Sequence, residues 1–484
     1  MKNDKKFIQG KKFGNDLIKQ LYKIEGIISV TIVGSFTRTY DLDKISDLDI
    51  VIISKKITGK LIKTSKKKIK NITSKYPILN KKLKINDTFG PVKYDATKYF
   101  TVHMMIYDIK GHIDHAINSP FTCYDWQRSN WFKGKKLKAI FPVENIYLRD
   151  FFEARRNSKD YLRDLKKNKI SIRRYQISIK KVSLKKIYYK INTKNRGEFV
   201  FHIVNNLINN YNKFYTNKNI KVASKNFGKL FLKITKNDRP LWNKFKYLSK
   251  QKINLSTNYS NKSILLGEKF ITYFNQFLRN ESKKYKRLVF LRHAKTFIND
   301  KTFLGQGRNP QILKIKLKPK FKEKYNFVYS SPLKRSISTA KLFSKKNPII
   351  SEYLSEINYG KAEGMSLYQY SKKFPKKVNL WKKSVDTKFP NGENTRNVKS
   401  RVFKFIREEI IKKLSKKNFS KALIVTHNVF LRCLIGHFLK IQLKNYFKIN
   451  ITYLHKIDFI LRKNKIYPDL KRKDFKKMLI GLYD

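Results

Sequence analysis

Cysteine is nearly missing from this chain: Cys123 and Cys433 are the only two in 484 residues, and they lie far apart. A disulfide framework is therefore not indicated, and a reducing cytoplasm is the expected compartment. Long apolar runs are missing too. No uninterrupted stretch approaches the ~20 residues that a membrane helix needs. No apolar run follows Met1-Lys2-Asn3-Asp4-Lys5-Lys6, so a secretory signal is not expected. Acidic residues are scarce, 34 against 111 lysines and arginines, which leaves a formal charge of +77. Lysine, asparagine and isoleucine are abundant in every segment. That spread reads as AT-rich coding drift rather than a local nucleic-acid patch, and Lys66-Lys67-Lys68 and Lys372-Lys373 read as solvated helix faces. On either origin, polyanionic substrates are attracted.

What is present is enough for folded cores: 41% hydrophobic and 14% aromatic residues exclude wholesale disorder. The chain divides into three blocks without internal repeats. Residues 1–150 mix β-branched runs with helical stretches, with strands expected at Ser29 to Val33, Leu48 to Ile53 and Phe100 to Tyr107. Residues 151–280 lack such runs. Phe199, Ile203, Leu207 and Ile208, and later Phe270, Phe274 and Phe277, recur at helical spacing, so a helical bundle is expected. Glu281 to Lys286 reads as a polar connector. From 287 to 484 strand and helix alternate, with strands at Leu288 to Leu291, Phe327 to Tyr329 and Ala422 to Thr426 and helices near 333–345 and 394–415. That alternation predicts an α/β domain with a mostly parallel sheet covered on both faces.

Three of these strands end in chemically distinctive residues. Leu288 to Leu291 runs into Arg292-His293, Ala422 to Thr426 into His427, and Phe327 to Tyr329 into Ser330-Ser331-Pro332-Leu333-Lys334-Arg335. Ligands of open α/β sheets sit beyond the carboxyl ends of strands. Two histidines and two arginines there suit a phosphoryl group. Guanidiniums match phosphate oxygens bidentately, and a histidine nitrogen can attack phosphorus and hold it covalently. A carboxylic acid must then protonate the leaving oxygen, and Glu356 is the candidate.

These segments resemble the histidine phosphatase superfamily, the group that includes phosphoglycerate mutases. Arg292, His293, Thr296 and Asn299 match its Arg-His-Gly-x-Thr-x-x-Asn hallmark, with Ala294 in place of glycine. Gly305-Gln306-Gly307 resembles the Gln-Gly turn. Ser331-Pro332-Leu333, Arg335 and Thr339-Ala340 match the Ser-Pro stretch. Glu356, Gly360 and Glu363-Gly364 match the acid-bearing loop, Pro390-Asn391-Gly392-Glu393 resembles Pro-Gly-Gly-Glu, and Val425-Thr426-His427 carries the second histidine. The resemblance implies His293 as the phosphorylated nucleophile, Arg292, Arg335 and His427 as the phosphate holders, and Glu356 as the proton donor. Thr296, Asn299, Gln306 and Gly307 then lie on the substrate side. No cofactor is implied there, and hydrolysis is favoured over mutase chemistry.

Near the N-terminus, Thr31-Ile32-Val33 runs into Gly34-Ser35. Arg38 follows, then Ser46-Asp47-Leu48-Asp49 within an apolar strand. Residues two apart in a strand share a face. Asp47 and Asp49 can therefore hold Mg²⁺, which binds through one or two carboxylates plus substrate phosphates. The Gly34-Ser35 turn offers backbone N–H groups to a triphosphate. This pattern resembles the polymerase-β-like nucleotidyltransferases. The resemblance implies Gly34, Ser35 and Arg38 as nucleotide-binding residues, Asp47 and Asp49 as metal ligands, and a third carboxylate from a later strand. Asp95, Asp108 and His103 compete for that third position, with Asp95 favoured. In small-substrate enzymes of this superfamily a following helical bundle walls the acceptor pocket. Tyr124-Asp125-Trp126-Gln127-Arg128 and Arg155-Arg156 can line it, although packing and solvated charge account for each residue singly. His112, Asp114 and His115 are read as exposed loop residues rather than a metal cluster.

The combined expectation is a bifunctional cytoplasmic enzyme. One half transfers a nucleotide from an NTP to a small acceptor with Mg²⁺, and the other removes a phosphate from a phosphorylated small molecule. Two alternatives stand beside it: the same chemistry on RNA ends, and a regulatory module that binds nucleotide or phosphate without turnover. No membrane partner is expected, and the sequence is silent on oligomeric state.

Overall fold

The computed structural model describes residues 2–39, 47–76, 82–90, 94, 98–177, 182–191, 196–253, 262–298, 301–315 and 323–482. It is a mixed α/β protein of two compact units, Met1–Arg279 and Asn280–Asp484. The blocks expected at 1–150 and 151–280 thus fall within one unit.

In the first unit the β-branched runs become strands. These are β1 (Ile27–Val33), β2 (Asp47–Ser54), β3 (Lys82–Asn86), β4 (Thr88–Phe89), β5 (Tyr99–Asp108) and β6 (Phe132–Gly134). Five of them form a sheet in the order β3-β5-β2-β1-β6. β1 is antiparallel to β2 and β6, whereas β5 is parallel to β2 and β3. The helices Lys2–Tyr22 and Gly59–Thr73 bring Phe13, Leu17, Leu21, Ile62 and Ile69 into one core with Ile32, Ile50, Ile52, Val102 and Met104. Each such buried side chain stabilises the fold by roughly 1.5–3 kcal/mol. Thr58 starts the second helix by accepting from the Leu61 N–H at 3.1 Å.

The strandless bundle expected for 151–280 is corrected. β7 (Lys169–Ile177) and β8 (Val182–Lys190) form an antiparallel hairpin that also pairs with β4. The helical expectation holds after it, in Arg196–Thr216, Ser224–Ile234, Arg239–Ile253 and Lys262–Lys284. Ile203, Leu207, Ile208, Phe270 and Phe274 are buried there. The polar connector is corrected as well, because the helix Lys262–Lys284 runs through it. Its Glu281 is buried and accepts from Lys284 Nζ at 2.7 Å.

The second unit is a six-stranded sheet in the order β11-β10-β12-β9-β13-β14. Its strands are β9 (Lys286–Arg292), β10 (Phe327–Ser330), β11 (Ile349–Ile350), β12 (Lys421–Thr426), β13 (Lys456–Arg462) and β14 (Lys465–Pro468). The first four in the order are parallel, and the last two form an antiparallel edge. β9 is buried on both faces. Val289 and Leu291 pack with Phe343 and Val425 on one side, while Phe290 meets Phe405 and Phe459 on the other. The helices Lys334–Phe343 and Thr395–Phe405 follow the expected positions, with a π-helical turn at Ile406–Lys413 extending the second, and a further helix, Asn428–Phe438, follows β12. Among the described residues no helix is long and apolar enough to cross a membrane.

Candidate functional site

The register of the second sheet sets the site. Arg292, the last residue of β9, stands beside Thr426, the last of β12, and Val425 stands beside Ser330 of β10. The residues that follow, His293 and His427, are thereby brought together, with ring centroids 5.0 Å apart. The neighbouring strand β10 leads into Ser331 and the helix that carries Arg335.

His293 is 4% exposed, and its Nδ1 lies 2.7 Å from the Ala294 carbonyl. A carbonyl only accepts, so Nδ1 carries the proton and Nε2 keeps the lone pair. Burial, then the Arg335 and Arg292 charges, push the imidazole down to about 3. His293 is thus a neutral, oriented nitrogen nucleophile. His427 has the opposite tautomer. Its Nδ1 accepts from Arg335 Nε at 3.3 Å, so Nε2 bears the hydrogen, with Ser331 Oγ at 2.9 Å and Ser336 Oγ at 3.1 Å. Burial and then Arg335 hold its pKa well below the ordinary value.

Arg335 is 1% exposed and is fixed by the Gln-Gly turn: Nη1 donates to the Arg308 carbonyl at 3.1 Å and Nη2 to the Gly305 carbonyl at 2.7 Å. Arg292 lies over the Tyr453 ring at 3.9 Å and donates through Nη1 to the Ile451 carbonyl at 2.5 Å. Its Nε is buried without a partner. A buried unsatisfied guanidinium N–H is costly, and a bound oxyanion satisfies it.

Glu356 is 5% exposed and accepts backbone N–H groups from Ile357 at 3.0 Å, Asn428 at 3.1 Å and Val429 at 3.1 Å. Those donors favour the carboxylate, but burial outweighs them and raises its pKa. The acid loop is clamped from beneath. Arg401 grips Glu393 at 2.9 Å through Nε and again through Nη2, and it donates to the carbonyls of Tyr353, Ser355 and Glu356. Gly360, at φ +52°, lies so close to Pro390 that a Cβ would overlap the Pro390 carbonyl. The Glu356 and Pro390-Asn391-Gly392-Glu393 segments therefore interlock.

The structure thus brings His293, His427, Arg292, Arg335 and Glu356 together. Gln306 joins them, donating to the Glu356 carbonyl at 2.6 Å, and Gly307 sits exposed at the loop tip. Thr296 is buried, with its hydroxyl on the Ile298 carbonyl at 2.7 Å, so it shapes the loop after His293. Asn299 lies outside the described residues. Ala294 is buried and donates its N–H to Thr339 Oγ1 at 2.9 Å. Sequence reasoning missed Arg401 and Tyr453. Arg401 acts through carbonyls distant in sequence, and nothing near Tyr453 marks it as a partner for Arg292.

In the first unit Asp47 and Asp49 share one face of β2. Asp49 stands opposite Val33 on β1 and His103 on β5. Gly34 turns at φ +79°, and a Cβ there would overlap the Asp49 carboxylate, so only glycine fits. Ser35 is exposed in the turn, and the side chain of Arg38 lies outside the described residues. Among the third-ligand candidates, Asp108 is corrected. It ends β5 beside Ser54, at the opposite end of the pairing from Asp47, and caps the next helix through the Gly111 N–H at 2.6 Å. His103 lies beside Asp49 and pairs with Asn86 at 2.8 Å. Asp95 lies outside the described residues. Among the described residues no three His, Cys, Asp or Glu side chains gather as a metal site.

The reading of His112, Asp114 and His115 as an exposed loop is also corrected. They lie on the helix Ile109–Asn118, with His112 and His115 buried and all four ring nitrogens lacking partners. His115 stacks between Tyr107 and Trp126, each at 5.1 Å. Aromatic packing and a helix, which three polar residues in four positions disguise, explain the miss.

Comparison with known proteins supports a histidine phosphatase-type domain in the second unit. Residues 288–466 match the family described as the histidine phosphatase superfamily (branch 1). A phosphoglycerate mutase of Schizosaccharomyces pombe is 29% identical over 119 residues, which are 23% of this chain and 56% of that protein. A 2,3-bisphosphoglycerate-dependent phosphoglycerate mutase of Rhizobium etli is 25% identical over 164 residues, 31% of this chain and 77% of the relative. Among solved structures, the alpha-ribazole phosphatase of Shigella flexneri is similar at 19% identity and TM-score 0.32, covering 38% of this chain and 95% of that one. A mycobacterial glucosyl-3-phosphoglycerate phosphatase gives 18% identity and TM-score 0.31, covering 39% and 98%.

Proposed function

With a histidine phosphatase-type domain at residues 288–466 as the premise, we propose that the chain hydrolyses a phosphorylated small molecule through a phosphohistidine on His293. One observation carries this reading: a buried, neutral imidazole whose Nε2 lone pair is kept free beside two arginines. Nε2 attacks phosphorus, the P–O ester bond breaks, and the departing oxygen takes the Glu356 proton. Water then attacks phosphorus, the N–P bond breaks, and Glu356 recovers a proton as phosphate leaves. Arg292 and Arg335 offset the charge on the equatorial oxygens. Hydrolysis is put ahead of mutase transfer because a mutase must also retain a bisphosphate and shield its phosphohistidine from water. The test is acid-labile ³²P labelling of the protein by a labelled phosphomonoester, with and without 3-phosphoglycerate as acceptor. Labelling that persists in His293→Ala sinks the mechanism, and phosphate delivered to the acceptor rather than to water replaces phosphatase by mutase.

A second activity is favoured by the Gly34–Asp49 contact. We infer that the first unit transfers a nucleotide from an NTP to a small acceptor. Asp47 and Asp49, side by side next to the Gly34 turn, suit a hard cation that takes its other ligands from water and substrate phosphates. Mg²⁺ held there would neutralise triphosphate charge. Gly34 and Ser35 place backbone N–H groups, and no bulk, beside the incoming phosphates. A cavity of about 450 Å³ opens on Gly34 and is lined in part by Asp125, Trp126, Arg128, Arg155 and Arg156, residues singled out for an acceptor pocket. Label from an α-³²P NTP should move into a small-metabolite extract and not in Asp47→Ala/Asp49→Ala. Label in RNA instead would favour end processing, and no transfer to either pool would favour a binding module. A fusion of the two activities fits consecutive steps on one metabolite, a hypothesis that fails if separated halves act on unrelated compounds. The two buried free thiols suit the reducing cytoplasm proposed for it.

A further inference from the structure

The cavity that opens on Gly34 is unevenly charged. Its described lining contains one carboxylate, Asp125, and Lys213 neutralises that group at 2.6 and 2.7 Å. Three arginines, Arg128, Arg155 and Arg156, also line it. Arg128 is occupied: it donates to the Tyr124, Val143 and Glu144 carbonyls and stacks on the Tyr124 ring at 3.4 Å. Arg155 and Arg156 are adjacent in sequence and differ from it. Arg155 Nη1 is buried and has no hydrogen-bond partner. Arg156 donates through Nη2 to the Ser171 carbonyl, which satisfies an N–H but cancels no charge.

Like charges act on this pair from behind. Arg173, on β7, is pushed down to about 10 by burial and then by Arg155 and Arg156. Asp114 is the carboxylate whose field favours the charged form of Arg155, the smallest of the effects on that group. Arg155 and Arg156 are half-buried, each in the field of a carboxylate, Asp114 and Asp164 respectively, and the unsatisfied N–H of Arg155 carries a penalty of its own. An oxyanion in the cavity adds counter-charge to this pair, by the bidentate match of guanidinium to phosphate or carboxylate. The cavity also has room beyond the anion. A neighbouring space of about 670 Å³ shares Arg156, Tyr161 and Asn206 with it, so Arg156 stands at the junction.

We propose that Arg155 and Arg156 hold the anionic group, a phosphate or a carboxylate, of the acceptor onto which the Gly34–Asp49 site transfers a nucleotide. This rests on the nucleotidyl reading and narrows it: the acceptor is an acidic small molecule rather than a neutral or cationic one. A phosphate-bearing acceptor, or a product that retains the phosphate, would also belong to the substrate class of the second unit.

The test is hydrogen exchange by mass spectrometry on the full chain, which reads the two units separately. Inorganic phosphate and malonate are the probes. Either one should slow exchange in peptides covering 119–131 and 149–158. That protection should be lost in Arg155→Ala/Arg156→Ala and weakened in Arg155→Lys/Arg156→Lys, which keeps charge but loses the fork. Unchanged exchange without probe in peptides covering 27–33 and 99–108 shows that the first unit of each variant is folded, and phosphate protection of 286–296 in the second unit shows that the probe binds. The proposal is overturned if neither probe protects 119–131 and 149–158, or if the alanine pair leaves that protection intact. ATP added on top of phosphate should leave it in place. If ATP displaces the phosphate and protects 149–158 itself, the arginines hold the nucleotide and the acceptor assignment falls. A positive exchange result without label transfer from the NTP would discard the nucleotidyl reading while leaving an oxyanion site.

Discussion

At the scale of single residues, tautomer and charge state decide the chemistry. A neutral His293 with its pKa near 3 needs no deprotonation above pH ~5. The activity should therefore show no acid limb from this residue. In the proposed mechanism Glu356 is the acid, and burial raises its pKa, so the proton it would donate is lost as pH rises through that raised value. The kcat profile should fall on the alkaline side. Glu356→Gln should remove that limb and reduce turnover by about 10²–10⁴-fold on substrates with poor leaving groups, with a much smaller loss on p-nitrophenyl phosphate. Arg335→Lys keeps the charge but not the fork that reaches His427 Nδ1 and two carbonyls. Loss of about 1.5–3 kcal/mol of charge-assisted hydrogen bonding corresponds to a drop of roughly 10–100-fold in kcat/KM, measurable by steady-state kinetics. The residues behind both predictions were legible in the sequence because each sits in a recognisable motif, Arg335 at the start of the helix after β10 and Glu356 in the loop after Glu352–Leu354. Arg401 was not, because its partners at 353, 355 and 356 are carbonyls that only the folded loop presents to it.

At the scale of elements, strands with β-branched runs were legible and those written in lysine were not. β8 reads Val-Ser-Leu-Lys-Lys-Ile-Tyr-Tyr-Lys, and most of its side chains are exposed. Pairing with β7, rather than burial, makes it a strand, so it lacks a hydrophobic alternation to betray it. The helix Lys262–Lys284 was cut short for the same reason, since Glu281-Ser282-Lys283-Lys284 resembles a linker until Glu281 is seen to be buried. Two turns lend themselves to element-level tests. Gly34→Ala places a methyl against the Asp49 carboxylate at positive φ, a strain of about 1–3 kcal/mol. It should abolish label transfer from an NTP while phosphatase activity persists. Arg401→Leu should release the acid loop, lowering kcat more than it changes KM and lowering Tm in a calorimetric scan. If kcat is unchanged, the clamp is structural alone.

At the scale of the molecule, buried neutral histidines set the response to acid. His112 is pushed down to about 4 and His293 to about 3 by burial, and His115 and His427 are held well below the ordinary value. A depressed pKa means that the stabilising contribution is present above about 6.5 and is lost as pH falls toward the folded values. Each group then withdraws about 1.4 kcal/mol per pH unit. Urea unfolding followed by tryptophan fluorescence should show stability falling steeply between pH ~6.5 and ~4. His112→Leu should make that fall shallower by one proton, and an unchanged slope would contradict the neutral buried state.

The hold of Arg335 on the Gly305 and Arg308 carbonyls has a consequence for how such a site can diversify. The phosphate clamp proposed for Arg335 and the loop 305–308 are one mechanical part, so an insertion in that loop would also move the guanidinium. Innovation in substrate choice is therefore channelled away from that loop. The exposed Leu367, Tyr368 and Leu380 of the stretch Leu367–Lys382 bear no such obligation, whereas its Tyr370 is buried against Phe303. There a lineage can experiment without disarming its catalyst.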